Sequence, residues 1–258
     1  MRAGGGLVKL TFLGTRGYID SVSPRHRMHT ATLVEYRGMR VMIDCGETWL
    51  GRLADLRPEA IVLTHAHPDH AFGLEDGSPC PVYATRSAWR ALRRFPIPPD
   101  SRRTLRLRDS VVIGGVAFEA FSVVHSIRAP AVGYRVSAGR VTVFYVPDVV
   151  SIPARSDAFR DICVYVGDGA SITRNMVRRE RRTGTLFGHA TIDRQLEWCR
   201  DEGVPRMIVT HCGSDIVGGD EAAAIARVGT LAARRGVAIT VAHDGMEIVL
   251  RRAHARVD

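Results

Sequence analysis

Lysine is almost missing from this 258-residue chain: Lys9 stands alone among 36 basic residues, and all the others are arginine. Against 27 carboxylates they leave a formal net charge of +9. A coding bias toward arginine leaves such a skew on solvated faces. The charge therefore admits nucleic acid or another anionic partner without requiring one. Cysteine is scarce and scattered. Cys45, Cys80, Cys163, Cys199 and Cys212 form no CxxC pair, which argues against a disulfide framework and against a cysteine-built structural zinc site. Most of them read instead as small buried hydrophobes. No apolar run approaches the roughly 20 residues a membrane span needs. The opening "MRAGGGLVKLTFLG" lacks a sustained apolar segment and reads as a first strand rather than a leader. A cytoplasmic location with no membrane contact is the expectation. Internal repeats and low-complexity tails are missing as well.

What is present suits a folded chain with a sizeable core, since 45% of the residues are hydrophobic. Strand-like runs recur, each closed by Gly, Asp or Pro: "LVKLTFLG", "ATLVEYRGMRVMIDCG", "AIVLTHAH", "PVYAT", "VVIGGVAFEAFSVVHS", "AVGYRVSAGRVTVFYVPD", "CVYVGD", "MIVTHCG" and "VAITVAHDGMEIVL". Arg37-Gly38, Gly114-Gly115 and Ala138-Gly139 read as hairpin turns. Helical patterns separate later strands. "TIDRQLEWCRDEG" and "GDEAAAIARVGTLAARRG" are capped, amphipathic and stopped by Gly203 and Gly236. "TRSAWRALRRF" opens with Thr or Ser in cap position, and "TRNMVRRERR" reads as a basic helix. Hairpins early and strand–helix alternation late point to an α/β fold, with two mixed sheets face to face and helices outside.

The chemistry concentrates in "LTHAHPDHAFGL". His65, His67, Asp69 and His70 fall within six positions, directly after a buried strand end. A solvated loop of histidines is the bland reading. The alternative is a metal site: His65 and His67, two apart in an extended segment, point the same way. Asp69 and His70, where the chain turns into a helix, diverge toward a neighbouring ion. Neutral imidazoles with a carboxylate suit Zn²⁺, Fe²⁺ or Mn²⁺.

"HAHPDH" is the HxHxDH pattern, and through it the chain resembles the metallo-β-lactamase superfamily. Later residues follow the superfamily's order: Asp44 in "IDCG", His125 in "VVHS", Asp148 in "YVPD", His211 in "THCG" and the closing "DGMEI". His189 in "FGHATIDRQLEW", paired with His211, resembles the branch holding the tRNA 3′-processing endonucleases (RNase Z) and the cyclic phosphodiesterase of the carbon–phosphorus lyase pathway. The resemblance spans nearly the whole chain. It implies a four-layer αββα sandwich over residues 1–258 as one domain. It also implies two divalent metal ions. His65, His67 and His125 would hold one, Asp69, His70 and His211 the second, and Asp148 would bridge them. Asp44 would accept a hydrogen bond from a ligand histidine and fix its tautomer.

The function this implies is hydrolysis, first of all of small or cyclic phosphodiesters. A metal-bridging hydroxide would attack phosphorus, oriented by Asp69 and Asp148, with His189 as general acid to the leaving oxygen. A lactonase or other acyl hydrolase would use the same metals. An RNA-processing nuclease would add the Arg-rich stretches 86–108 and 174–182. The partner expected is a small anionic substrate; nucleic acid is compatible but not required, and a homodimer stays open. His29 and Arg128 belong to loops that would grip a phosphate, and His243 reads as lining the pocket or merely packed.

Overall fold

A computed structural model of the chain describes residues 7–251. The strands are β1 (Val8–Gly14), β2 (Ala31–Tyr36), β3 (Met39–Ile43), β4 (Ala60–Val62), β5 (Val82–Thr85), β6 (Arg102–Leu105), β7 (Ser110–Ile113), β8 (Val116–Val123), β9 (Ala131–Ala138), β10 (Val141–Tyr145) and β11 (Val164–Asp168). A short hairpin, β12 (Arg178–Arg179) with β13 (Leu186–Phe187), precedes β14 (Arg206–Thr210), β15 (Ala238–Val241) and β16 (Met246–Leu250). One sheet runs β16-β1-β2-β3-β4-β5-β6 and the other β15-β14-β11-β10-β9-β8-β7. Each is antiparallel on one side and parallel on the other. In the first, β3, β4, β5 and β6 run parallel; in the second, β10, β11, β14 and β15 do.

Strand alternation explains why the sheets face each other. In β1, Val8, Leu10 and Phe12 point into the space between the sheets, where they meet Phe118, Tyr134, Val136 and Val143 of the second sheet. Residues of opposite parity turn outward: Leu33 and Met42 pack with Leu53, Ala71 and Ala88 of the helices α1 (Leu53–Leu56), α2 (Pro68–Ala71) and α3 (Arg86–Ala91). On the far side, Phe144, Tyr165 and Met207 pack under α4 (Arg155–Phe159), α5 (Ile192–Asp201), α6 (Ser214–Val217) and α7 (Glu221–Ala233). The layers are helix, sheet, sheet, helix, as expected. The long helices begin where capping chemistry directs: Thr191 Oγ1 accepts from the Arg194 amide, and Asp220 accepts from the Ala223 amide.

One element departs from the expectation. Residues 173–182 do not form a helix; Arg178 and Arg179 enter the β12–β13 hairpin instead. An arginine run has no apolar face to bury, so a helix there gains little from packing. Turn chemistry wins: Gly184 takes a left-handed φ of 73°, and the Glu180 carboxylate accepts from the Arg182 and Thr183 amides.

Candidate metal centre

Strand ends deliver the site. His65 follows β4, His125 follows β8, Asp148 follows β10, Asp168 closes β11 and His211 follows β14. In open α/β sheets the carboxyl ends of parallel strands are where ligands gather. Pro68 at the first position of α2 turns the chain so that Asp69 and His70 enter from the side. The seven residues His65, His67, Asp69, His70, His125, Asp148 and His211 converge in two overlapping groups: His65, His67, His125 and Asp148, and Asp69, His70, Asp148 and His211. Within each group, the donor atoms lie within 4.8 Å of one another.

Tight backbone contacts hold this geometry. Asp44 and His211 both take left-handed φ angles, 59° and 52°. Such strain persists in side-chain-bearing residues only when the surroundings enforce it. The Cys45 amide donates to the His70 carbonyl at 2.7 Å. Gly46 lies so close to the Asp69 carbonyl that a Cβ would collide with it, and a Cβ on Gly17 would stand 2.9 Å from the His211 ring. Neither position leaves room for a side chain.

Outer hydrogen bonds set the histidine tautomers. His70 Nδ1 lies 2.9 Å from Asp44 Oδ2, and Asp44 also accepts from the amide and hydroxyl of Thr64. His65 Nδ1 lies 3.0 Å from Thr64 Oγ1, His125 Nδ1 lies 3.0 Å from the Gly188 carbonyl, and His67 Nε2 lies 3.2 Å from Ser126 Oγ. With one ring nitrogen of each imidazole engaged outward, the other presents a lone pair inward. His65 Nε2 then faces His67 Nδ1 at 2.9 Å, and His125 Nε2 faces it at 3.4 Å. Burial holds the three rings neutral, with pKa values pushed to about 3 for His65 and about 4 for His67 and His125.

Lone pairs pointed at one another repel unless a cation stands between them. The second group sets imidazoles against carboxylates. His70 Nε2, His211 Nδ1 and Asp148 Oδ1 are buried without a hydrogen-bond partner, although Asp148 oxygens lie 2.8 Å from His70 Nε2 and 2.9 Å from His211 Nδ1. Burial would raise the Asp69 and Asp148 carboxyls, but His70 and His211 outweigh it and hold both well below the usual carboxylate range. The same carboxylates raise His70 and His211 well above the ordinary imidazole value, so positive charge is favoured where these groups meet, and the donor set of carboxylates and imidazoles fits divalent transition metals.

Sequence reasoning missed Asp168. Its Oδ2 lies 2.8 Å from His189 Nδ1 and also accepts from the Val149 amide, while Oδ1 accepts from the Ala170 amide. Burial alone would depress His189, but Asp168 outweighs it and raises the pKa above the ordinary value. The missed signal was an aspartate ending a buried strand run, "CVYVGD", much as Asp148 follows one in "YVPD". The cleft over the metal groups, about 320 Å³, is lined by His67, Asp69, His125, Asp148, His189 and His211, with Tyr18, Arg174 and Met176 on its rim.

The loop and C-terminal candidates do not reach this wall. His29 is buried behind it, with its amide donating to Thr48 Oγ1 and its carbonyl accepting from the Trp49 indole. Burial, then the nearby Arg16, lowers its pKa to about 4. Arg128 is exposed outside the lining. His243 turns Nδ1 to the neighbouring Asp244 carbonyl. None of the three lines the cleft, whereas Arg174 does.

Residues 39–212 match the family model described as the beta-lactamase superfamily domain. The chain belongs to this superfamily. As a beta-lactamase superfamily protein whose histidines and aspartates gather in groups that could hold metal, it is a metal-dependent hydrolase. Among curated proteins it is similar to a ribonuclease Z of Methanopyrus kandleri, 26% identical over 249 residues that cover 80% of this chain and 88% of the relative. Among solved structures, the metallo-beta-lactamase fold protein YhfI from Bacillus subtilis aligns with a TM-score of 0.72 at 13% identity, covering 94% of this chain and 99% of that one. A diphosphatase from the PhnP family aligns with a TM-score of 0.67 at 22% identity, over 95% and 97%. These two solved structures establish the sandwich of this superfamily member. No helix among the described residues is long and apolar enough to cross a membrane.

Proposed function

We propose that the protein is a dinuclear metal-dependent phosphodiesterase, with His65, His67 and His125 holding one divalent cation, Asp69, His70 and His211 the other, and Asp148 shared. The observation that carries this reading is the His189–Asp168 pair at the edge of the cleft. Bound cations would supply an activated water and neutralise charge on the phosphoryl oxygens. The chain supplies the proton. An alkoxide leaving phosphorus is strongly basic and needs protonation as the bond breaks. Nδ1 of His189 donates to Asp168, so Nε2 is left for the cleft, and Asp168 keeps the ring cationic to higher pH than a free imidazole. Arg174 on the rim gives an anionic substrate a countercharge. The kinship with a ribonuclease Z supports a phosphodiester bond over a lactone or thioester.

An RNA-processing nuclease is the second reading, favoured by the same kinship and by the arginines of the β12–β13 hairpin. Both readings share one test. Protein loaded with Zn²⁺ or Mn²⁺ is assayed on bis(p-nitrophenyl) phosphate, 2′,3′-cyclic nucleotides, short RNA, lactones and thioesters. Phosphodiester turnover is expected, with kcat falling roughly 100-fold or more in His189→Ala while metal content is unchanged. Turnover of lactones alone, or full activity of the variant, rejects the assignment.

A further inference from the structure

We propose that the cleft continues past His189 into a leaving-group subsite, built by Arg174, Arg178 and Phe187, that takes a nucleotide: an aromatic base together with a phosphate beyond the one being cleaved. The proposal rests on the phosphodiesterase reading and names its substrate class. Next to the metal cleft lies a second cavity, lined by Arg174, Asn175, Met176, Arg178, Phe187 and His189. Arg174, Met176 and His189 line both. His189 stands at the junction, so a group that leaves toward its proton enters the second cavity.

The walls of that cavity are chemically specific. Arg178 and Phe187 are directly paired across the antiparallel hairpin. Directly opposed residues project from the same face, and both of these line the cavity. The hairpin is tied to the metal centre at its end: the Gly188 amide donates to the His125 carbonyl at 2.8 Å, and His125 Nδ1 lies 3.0 Å from the Gly188 carbonyl. Both arginine charges are open to a ligand. Among the described residues no carboxylate lies within 4.0 Å of Arg178, and Arg174 has only Asp215, at 3.9 Å, with its own side chain 59% exposed. Glu180, the acid of the hairpin, is committed to amides of the turn. Paired guanidiniums match phosphate oxygens through planar, forked donors, and the half-buried ring of Phe187 in the cavity wall offers a base a surface to stack on. The reaction balances simply. Water oxygen joins phosphorus, the bond from phosphorus to the leaving alcohol breaks, His189 gives that oxygen a proton, and the proton released by water returns to the imidazole or to solvent.

Two dinucleotides isolate the subsite, ApA and its 5′-phosphorylated form pApA, because the leaving 3′-alcohol carries a base in both but a second phosphate only in pApA. With the metal-loaded full chain, kcat/KM for pApA is expected to exceed that for ApA by about tenfold or more, and Arg178→Ala is expected to bring the ratio close to one. Phe187→Ala should lower kcat/KM for both dinucleotides relative to bis(p-nitrophenyl) phosphate. Calorimetry with adenosine 5′-monophosphate gives a readout independent of turnover: Arg178→Ala should weaken binding about tenfold. Equal rates on pApA and ApA in the parent protein, or a ratio unmoved by Arg178→Ala, overturn the subsite. If no phosphodiester is hydrolysed at all, the phosphodiesterase reading fails by itself. The calorimetric comparison then decides the subsite, with weakened binding in Arg178→Ala upholding it and unchanged binding overturning it.

Discussion

Asp168 contributes to the site chiefly through His189, with His211 Nδ1 3.8 Å from its other oxygen. Its carboxylate is buried, receives two backbone amides and holds His189 Nδ1 at 2.8 Å. Asp168→Asn keeps the shape but removes the countercharge that raises the His189 pKa. The cationic imidazole is then lost at lower pH. The alkaline limb of the kcat profile is expected to move to lower pH, with kcat at its optimum down about 10- to 100-fold. An alkaline limb that stays in place would show that Asp168 does not tune this proton. The contrast between Asp168 and His65 explains what was legible at this scale. His65, His67, Asp69 and His70 announce themselves because four donor side chains within six residues have no cheaper explanation. Asp168 is a lone acid at a strand end, a placement that turns also favour. Only the fold brings it to His189, 21 residues further on.

At the scale of elements, the hairpins and capped helices were readable because their signals are local. Arg37 and Gly38 both take left-handed angles at the β2–β3 turn, and Thr191 and Asp220 cap α5 and α7. The 173–182 stretch was misread because arginine's helix propensity is real in isolation, whereas the Glu180 and Gly184 turn depends on which conformer finds support. A second device at this scale joins distant elements. His26, fully buried, lies 2.8 Å from Thr15 Oγ1 and 3.3 Å from Glu221 in the first turn of α7. Asp244 accepts from the Thr15 hydroxyl and from the Arg27 and Met28 amides. Burial lowers the His26 pKa despite the pull of Glu221. Its folded value therefore lies below the unfolded value of about 6.5, and the unfolded chain binds more protons below that pH. The contribution is fully present above about pH 6.5 and is lost as pH falls. Urea unfolding of His26→Gln is expected to show a shallower loss of stability between pH 7 and pH 5 than the parent protein. Identical slopes would remove His26 as a source of acid sensitivity.

Across the whole molecule, the two sheets bring complementary halves of the site to one end of the sandwich. The first supplies Asp44, His65, His67, Asp69 and His70 around β3, β4 and α2; the second supplies His125, Asp148, Asp168 and His211 from the ends of β8, β10, β11 and β14. The two groups built on the HxHxDH segment each draw on both sheets, whereas a further group, Asp148, Asp168, His189 and His211, comes from the second sheet's side alone. The layered architecture was foreseeable from strand alternation, but this convergence across the seam came from the resemblance and not from periodicity. It has a thermodynamic consequence. A cation that binds only the assembled site stabilises the sandwich by mass action, about 2.7 kcal/mol at a free concentration 100 times Kd. For a chain of this size each kcal/mol moves Tm by about 2–4 °C. That Kd already includes the relief of the imidazoles and the buried Asp148 that stripping the metal leaves without their partner. A chelator is therefore expected to lower Tm by about 5–10 °C or more, reversibly on adding Zn²⁺ or Mn²⁺. Asp148→Asn, which weakens both groups at once, should lose most of that metal-dependent increment. An increment that survives intact in Asp148→Asn would mean that the stabilising cation binds elsewhere and that the two sheets are not joined through this centre.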